Sequence, residues 1–241
     1  MTNFIKLYGF HATIHALANS ERGIKKIFLT ENARQKIILL EDINLEKFNY
    51  EITTTKELSR ELPQGAVHQG IMLLCGPKKL TTFNNNILDN IENIIMLDNI
   101  SDPRNIGAII RTAVAFGFST IITTHRFDQL DEGLIAKSST GGLEYVNIVS
   151  AKNLSNMLET LKKNNFWLIG FDSDASSSID DMNFGKNDKF VLIFGDEGRG
   201  IRNLTKSKCH EIYKLNTIGK IKSLNVSVAI GVTLNKITEN Y

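Results

Sequence analysis

The sequence predicts an α/β protein: a mostly parallel sheet covered by helices on both faces, preceded by a smaller α/β unit. Three observations predict it. From Ile91 onward, short apolar runs alternate with helical segments, the pattern of parallel strands joined by crossovers. Residues 1–76 carry strand and helix signals of their own and end in PKKLTTFNNN (77–86), a polar stretch with little to bury. Three segments, DNISDPRNIGAIIRTA (98–113), FGDEGRGI (194–201) and KSLNVSVAIG (222–231), place unusual polar residues at strand-to-helix turns. Open α/β sheets bind ligands in the crevice beyond their strand ends, so the three turns are expected to assemble one site.

Along the chain, YGFHATIHAL (8–17) reads as a turn entering a short helix, KKIFLT (25–30) as a strand and ENARQKIILLEDI (31–43) as helical. YEITTTKELSRELP (50–63) reads as a strand and a short helix ended by Pro63, and QGAVHQGIMLLCG (64–76) as a Gly-bounded turn and a buried strand. The expected division is an N-terminal unit at 1–76, a linker at 77–90 and a larger domain at 91–241. In the larger domain IIMLDN is a strand, IGAIIRTAVAFG a helix closed by Gly117 and STIITT a strand. A helix over NLSNMLETLKKNN and the strands FWLIGF, KFVLIFG and EIYKL follow. In the final helix Val226, Ala229, Ile230, Thr233, Leu234 and Ile237 recur at helical spacing, and Ser223 is the expected N-cap. The acidic segment at 171–188 reads as a solvated loop, because its carboxylates lack the spacing of a calcium loop.

Composition excludes several classes. With 241 residues, 42 % apolar and 22 % charged, the chain is an ordinary globular protein. A net charge of +2 and a pI near 8.4 do not demand a polyanion, although a local basic patch can bind one. Cys75 and Cys209 are far apart and outside any CxxC, which points to reduced thiols in a cytoplasm and no zinc site. No apolar stretch approaches the roughly 20 residues of a membrane span, and the N-terminus lacks the apolar core of a signal peptide. His11, His15, His68, His125 and His210 form no metal spacing and no serine triad, so no metal is expected. His11 and His68 stand out only for their Gly-flanked turns.

The three polar turns hold the candidate site residues. In the first, Pro103 suits a helix start, Asn105 is positioned to cap it, and Gly107 permits close approach. Arg111 lies six residues beyond Asn105, about 9 Å along a helix, and interrupts an apolar run. An ordinary capped helix with an exposed or paired arginine fits these residues equally well. In the second, Gly195, Gly198 and Gly200 surround Asp196, Glu197 and Arg199 and expose backbone N–H groups. It is neither a Walker loop nor a dinucleotide fingerprint. In the third, a cap explains Ser223, whereas Asn225 is a mediocre helix former whose presence favours a polar role.

Taken together, the segments resemble the three motifs of the SpoU (TrmH) family of RNA ribose 2′-O-methyltransferases, of the SPOUT class, and the resemblance spans essentially the whole chain. YGFHA and GAVHQGI (65–71) are similar to the N-terminal domain of the family's bacterial large-subunit rRNA guanosine 2′-O-methyltransferases. The resemblance implies a SPOUT-type α/β fold closed by a deep trefoil knot, an L30e/L7Ae-like N-terminal unit that binds RNA, and a homodimer with its active site at the interface. It implies S-adenosylmethionine as methyl donor and a guanosine ribose of 23S rRNA as target. A tRNA, another rRNA site, or a non-catalytic RNA-binding assembly role are the alternatives. Gly195, Leu215 and Leu224 would line the cofactor pocket. Arg111 would meet the ribose hydroxyl, with Asn105, Glu197, Ser223 and Asn225 completing the polar site. Free arginine is a poor base, with a pKa above about 12, so Arg111 either loses its proton in a desolvated pocket or steers a phosphate while another group takes the proton. Leu215-Asn216-Thr217 stands where the family commonly has Ile-Pro-Met, so the loop loses a proline while Asn216 keeps the main-chain carbonyl. Arg22, Lys25, Lys26, Arg34 and Lys36, with Lys78 and Lys79, are candidate phosphate contacts. Arg104 and Arg199 are nearer the target nucleotide.

Overall fold

The computed structural model describes residues 4–40, 42–83, 88, 91, 93–124, 127–151, 153–183, 188–221 and 223–239. His125, Lys222 and parts of the expected linker lie outside the described residues.

The N-terminal sheet has the order β1-β4-β2-β3, from β1 (Ile5–Tyr8), β2 (Ile24–Leu29), β3 (Tyr50–Ile52) and β4 (Ile71–Cys75). Strand β4 runs antiparallel to both β1 and β2, and β3 pairs parallel with β2. Helices α1 (Phe10–Ala18), α2 (Glu31–Ile38) and α3 (Thr55–Glu61) pack around it. Strand β1 escapes the sequence reading because four residues carry too little periodicity to register. Helix α2 stops at Ile38, short of the expected Ile43, and Ile38 and Leu39 stay exposed. Helix α3 is nucleated by a capping box: the Thr54 hydroxyl accepts the Glu57 N–H while the Glu57 carboxylate accepts the Thr54 N–H.

The second sheet has seven strands in the order β7-β6-β5-β10-β8-β11-β9, every recorded pair parallel. Its elements are β5 (Asn93–Asp98), α4 (Pro103–Ala115), β6 (Thr120–Thr123), α5 (Glu132–Ser138), β7 (Asn147–Ser150), α6 (Leu154–Lys163), β8 (Trp167–Phe171) and β9 (Ser177–Ser178). They continue with β10 (Phe190–Gly195), α7 (Asn203–Lys206), β11 (Glu211–Lys214) and α8 (Val226–Thr238). Helix α5 and strand β7 were not foreseen. Side chains alternate between faces along each strand. Ile95, Leu97, Leu192 and Phe194 pack with Ile109, Ala113, Ile230 and Leu234 on one side, and Ile94, Met96, Val191 and Ile193 with Leu158 and Leu161 on the other. The adjacent central strands β5 and β10 end level, Gly195 opposite Asp98, so two of the three polar turns leave the sheet side by side.

Four of the candidate phosphate contacts, Arg22, Lys26, Arg34 and Lys78, have partners within the protein. Arg22 is buried, and its guanidinium meets Glu132 at 2.7 Å and Glu144 at 3.1 Å. Both carboxylates come from the chain around the seven-stranded sheet, and withdrawing Arg22 toward RNA would leave them buried without a counter-charge. Lys78 donates its backbone N–H to Glu132 and its ammonium to the Glu144 carbonyl, and Thr81 bridges to Val149 on the edge of the large sheet. Gln69 extends this contact: it holds the left-handed φ of 56° and accepts hydrogen bonds from the Phe10 N–H (3.0 Å) and the Lys137 ammonium (2.8 Å). Lys25 and Lys36 are exposed, whereas Lys26 pairs with Glu51 and Arg34 with Glu31.

Candidate functional site

The site begins at the ends of β5 and β10. Asp98, fully buried, receives the Arg202 guanidinium, the Arg202 N–H at 3.1 Å and the Thr205 hydroxyl at 2.7 Å. This shell anchors the loop that follows β10. The loop folds back at once: the Gly200 N–H donates to the Asp196 carbonyl at 2.8 Å, and a Cβ on Gly195 would lie 2.0 Å from the Gly200 carbonyl carbon. Gly200 itself has a φ of 64° and would drive a Cβ into the Asp172 carboxylate.

Three polar residues from the three turns meet directly. Asn225 donates from Nδ2 to Glu197 Oε1 at 2.5 Å and to Asn105 Oδ1 at 3.0 Å, and Asn105 donates from its own Nδ2 to the same Glu197 oxygen at 3.0 Å. Both Asn225 amide hydrogens are thereby used, whereas Glu197 Oε2 makes no hydrogen bond among the described residues. The triangle thus presents one free carboxylate oxygen of fixed orientation.

The helix caps differ from the sequence reading, and the difference explains the triangle. Asp102, not Asn105, caps α4, accepting the Arg104 N–H at 2.9 Å. Asn105 is released to the first turn, where its side chain faces the loop. Asn225, not Ser223, caps α8, its Oδ1 accepting the Ser227 N–H at 2.9 Å. One amide therefore starts the helix with its oxygen and holds Glu197 with its nitrogen.

Beside this triangle lies a cavity of about 210 Å³, whose lining includes Gly195, Leu215, Leu224, Ser223 and Glu197. Its apolar part comes from Phe171, Phe194, Val226 and Ala229, the two phenylalanines stacked at 4.8 Å. Its polar part includes Asp172, which pairs with Lys206 at 2.7 Å. Burial pushes the Asp172 carboxyl up, but the Lys206 ammonium and backbone N–H groups outweigh it and hold the pKa below the ordinary value. Asn216 replaces the stiffness of a proline in a different way: its Nδ2 donates to Ser178 at 2.8 Å and Asp180 at 2.7 Å, tying down the loop between β11 and α8.

Arg111 stands apart. It is exposed on α4, outside the cavity lining, and forms no ion pair or hydrogen bond among the described residues. Sequence reasoning missed Asp98, Asp172 and Lys206. Asp98 carried a usable signal, a carboxylate closing an apolar strand; Asp172 and Lys206 matter only through a contact between residues distant in sequence. Both thiols are free, and burial raises Cys75 to about 12 and Cys209 to about 11. No group of His, Cys, Asp and Glu suited to a metal occurs among the described residues, and no helix there is long and apolar enough to cross a membrane.

A parallel sheet whose central strands deliver an Asn–Glu–Asn triangle to the rim of a cavity lined by apolar and charged residues is an α/β fold with a candidate ligand site beyond its strand ends. The family described as the SpoU rRNA Methylase family matches residues 92–235, and the domain described as RNA 2′-O ribose methyltransferase substrate binding matches residues 6–81. The chain belongs to the SpoU rRNA methylase family. It is 29 % identical over 245 residues to the 23S rRNA (guanosine-2′-O-)-methyltransferase RlmB of Pseudomonas aeruginosa, covering 98 % of this chain and 97 % of that one. It is 28 % identical over 240 residues to a putative TrmH family tRNA/rRNA methyltransferase of Staphylococcus haemolyticus, covering 97 % and 94 %. The fold superposes with a TM-score of 0.79 on the SpoU methyltransferase AviRb of Streptomyces viridochromogenes in complex with AdoMet, at 16 % identity and covering 98 % of this chain and 90 % of that one.

Proposed function

We propose that the protein transfers a methyl group from S-adenosylmethionine to the ribose 2′-hydroxyl of a guanosine in 23S rRNA. The observation that carries this reading is the Asn105–Glu197–Asn225 triangle at the rim of the cavity. The cavity suits the cofactor chemically. Phe194, Leu215, Leu224 and Ala229 offer an apolar bed for adenine, and the carboxylate of Glu197 matches a cationic ligand. When bound, the cofactor supplies an electrophilic methyl on a sulfonium, so the protein's part is to orient the hydroxyl and accept its proton.

Glu197 Oε2, free of other partners and oriented by two asparagines, accepts the hydroxyl proton. Arg111 steers the phosphate next to the target ribose, a role suited to a guanidinium that no carboxylate neutralises. In one chain Arg111 is exposed, and Leu224, Val228 and Val232, four residues apart in sequence, are exposed apolar residues, 37 %, 51 % and 46 % accessible, on or just before the helix α8 that packs on α4. A homodimer through this face covers these residues and brings Arg111 to the site across the interface. The trefoil threading of α8, the division into an RNA-binding unit and a catalytic domain, and the contact of exposed Lys25 and Lys36 with RNA phosphates belong to the same proposal. The 23S rRNA target is favoured over tRNA by the similarity to RlmB along nearly the whole chain, N-terminal unit included.

Three measurements test it. Isothermal titration is expected to show S-adenosylmethionine binding; no binding at millimolar ligand would remove the catalytic reading and leave an RNA-binding factor. Mapping of ribose methylation in rRNA and tRNA, with and without the gene, is expected to show one guanosine of 23S rRNA losing its methyl. An unchanged 23S pattern would refute the substrate. Arg111→Lys is expected to lower turnover about tenfold or more, because an ammonium lacks the guanidinium fork; full activity would contradict the steering role.

A further inference from the structure

The chain has one tryptophan, and it lies at the end of the sheet opposite the cavity. Trp167 opens β8 and Phe171, which lines the cavity, ends it, so about 13 Å of strand separates them. Trp167 is 44 % exposed, unusual for a ring in a strand whose next four residues are all buried. One face of the indole is stacked on His210, centroids 4.6 Å apart and planes 19° from parallel. His210 is held in turn: its Nδ1 accepts the Leu168 N–H at 2.8 Å, and its own N–H donates to the Leu168 carbonyl at 2.8 Å. Burial and the nearby Lys162 lower its pKa, so the ring that supports the indole is neutral. The result is a rigid aromatic shelf, and the indole N–H has no hydrogen-bond partner among the described residues.

Lysines lie near the shelf. Lys162 and Lys163 end α6, five and four residues before the indole, and Lys162 is within electrostatic reach of His210. Of the neighbouring carboxylates, Glu159 is paired with Lys208 at 2.5 Å, and Glu211 accepts the Tyr213 hydroxyl and keeps its charge. Lys162 and Lys163 form no ion pair among the described residues. An exposed aromatic face beside lysines that hold no ion-pair contact is the chemistry that grips single-stranded nucleic acid, by stacking on a base and pairing with its phosphates.

We propose that Trp167, backed by His210 and flanked by Lys162 and Lys163, is a base-stacking platform for a single-stranded segment of the substrate RNA, remote from the cofactor cavity. The proposal rests on the reading of the chain as an RNA-modifying enzyme and adds a second RNA contact, on the catalytic domain itself. Because Trp167 is the sole tryptophan, its emission reports on this surface alone. Titration of the full chain with a short unstructured oligoribonucleotide of mixed sequence is expected to quench that emission. Anisotropy of the same oligonucleotide, end-labelled, is expected to show binding weakened roughly 5- to 150-fold by Trp167→Ala and much less by Trp167→Phe. Lys162→Gln combined with Lys163→Gln is expected to lower the slope of log affinity against log salt by about 1.4. Calorimetric S-adenosylmethionine affinity is expected to stay the same in every variant, which also shows that they fold. Bound RNA that leaves the emission unchanged, or Trp167→Ala affinity within twofold of the parent, overturns the platform and assigns the patch to a protein partner instead. Loss of S-adenosylmethionine binding in the parent chain strikes the proposed activity and not this surface.

Discussion

Replacing Arg22 by methionine removes one cation and leaves two carboxylates, Glu132 and Glu144, inside the protein. The side chains of all three are almost inaccessible, at 1 %, 8 % and 3 %. Breaking a buried pair by removing one partner costs about 3–5 kcal/mol. The lower end applies here, because each carboxylate keeps other donors: the Lys78 N–H bonds to both oxygens of Glu132 at 2.9 and 3.1 Å, and Asn19 donates to Glu144 at 2.7 Å. The expected loss is about 3 kcal/mol at pH 7, roughly a 100-fold fall in the folding constant. Burial already raises the Glu132 pKa, more than Arg22 offsets. An acid with a raised folded pKa binds more protons folded than unfolded, so its penalty is complete above the folded pKa and relieved as pH falls toward the ordinary carboxyl value. The deficit of Arg22→Met is therefore smaller at pH 5 than at pH 7. Equilibrium urea unfolding, followed by Trp167 emission and by circular dichroism, measures it. Adding Glu132→Gln and Glu144→Gln is expected to restore part of the loss, since no unpaired carboxylate remains, although the Lys78 ammonium then loses these two counter-charges. A loss under 1 kcal/mol in the single variant, or no recovery in the triple one, would refute the account of Arg22 as a buried bolt between the two units.

Three further outcomes are expected. Asn225→Asp keeps an N-cap acceptor but turns an oxygen toward Glu197 where an N–H now lies at 2.5 Å, so helix content should persist while methyl transfer falls about 100-fold; wild-type turnover would remove the triangle from the mechanism. Gly195→Ala places a Cβ 2.0 Å from backbone that cannot yield, and calorimetry should find S-adenosylmethionine binding lost. Glu57, held to a pKa of about 2 by hydrogen bonds from Thr53 and Thr54, should titrate there by NMR; its support of α3 is complete above the ordinary carboxyl pKa and lost as pH falls through about 2.

Local signals in the sequence were enough to determine the α/β class, the mostly parallel character of the larger sheet and the identity of the three polar turns. Strand and helix periodicities span only a few residues, and the apolar runs of β5, β8 and β10 could not be satisfied except by burial on both faces. Tertiary structure alone decided how those turns combine. Asn105 and Asn225 are 120 residues apart and bond because β5 and β10 are neighbours and α8 packs on α4. The helix caps were a local matter: Asp102 and Asn225 each accept from the N–H two residues on, which displaces Asn105 and Ser223 as caps. Arg22 reads as a surface cation in sequence because its two carboxylate partners lie more than a hundred positions away. A one-dimensional pattern records which residues want burial or a partner; only the packed chain supplies the partner.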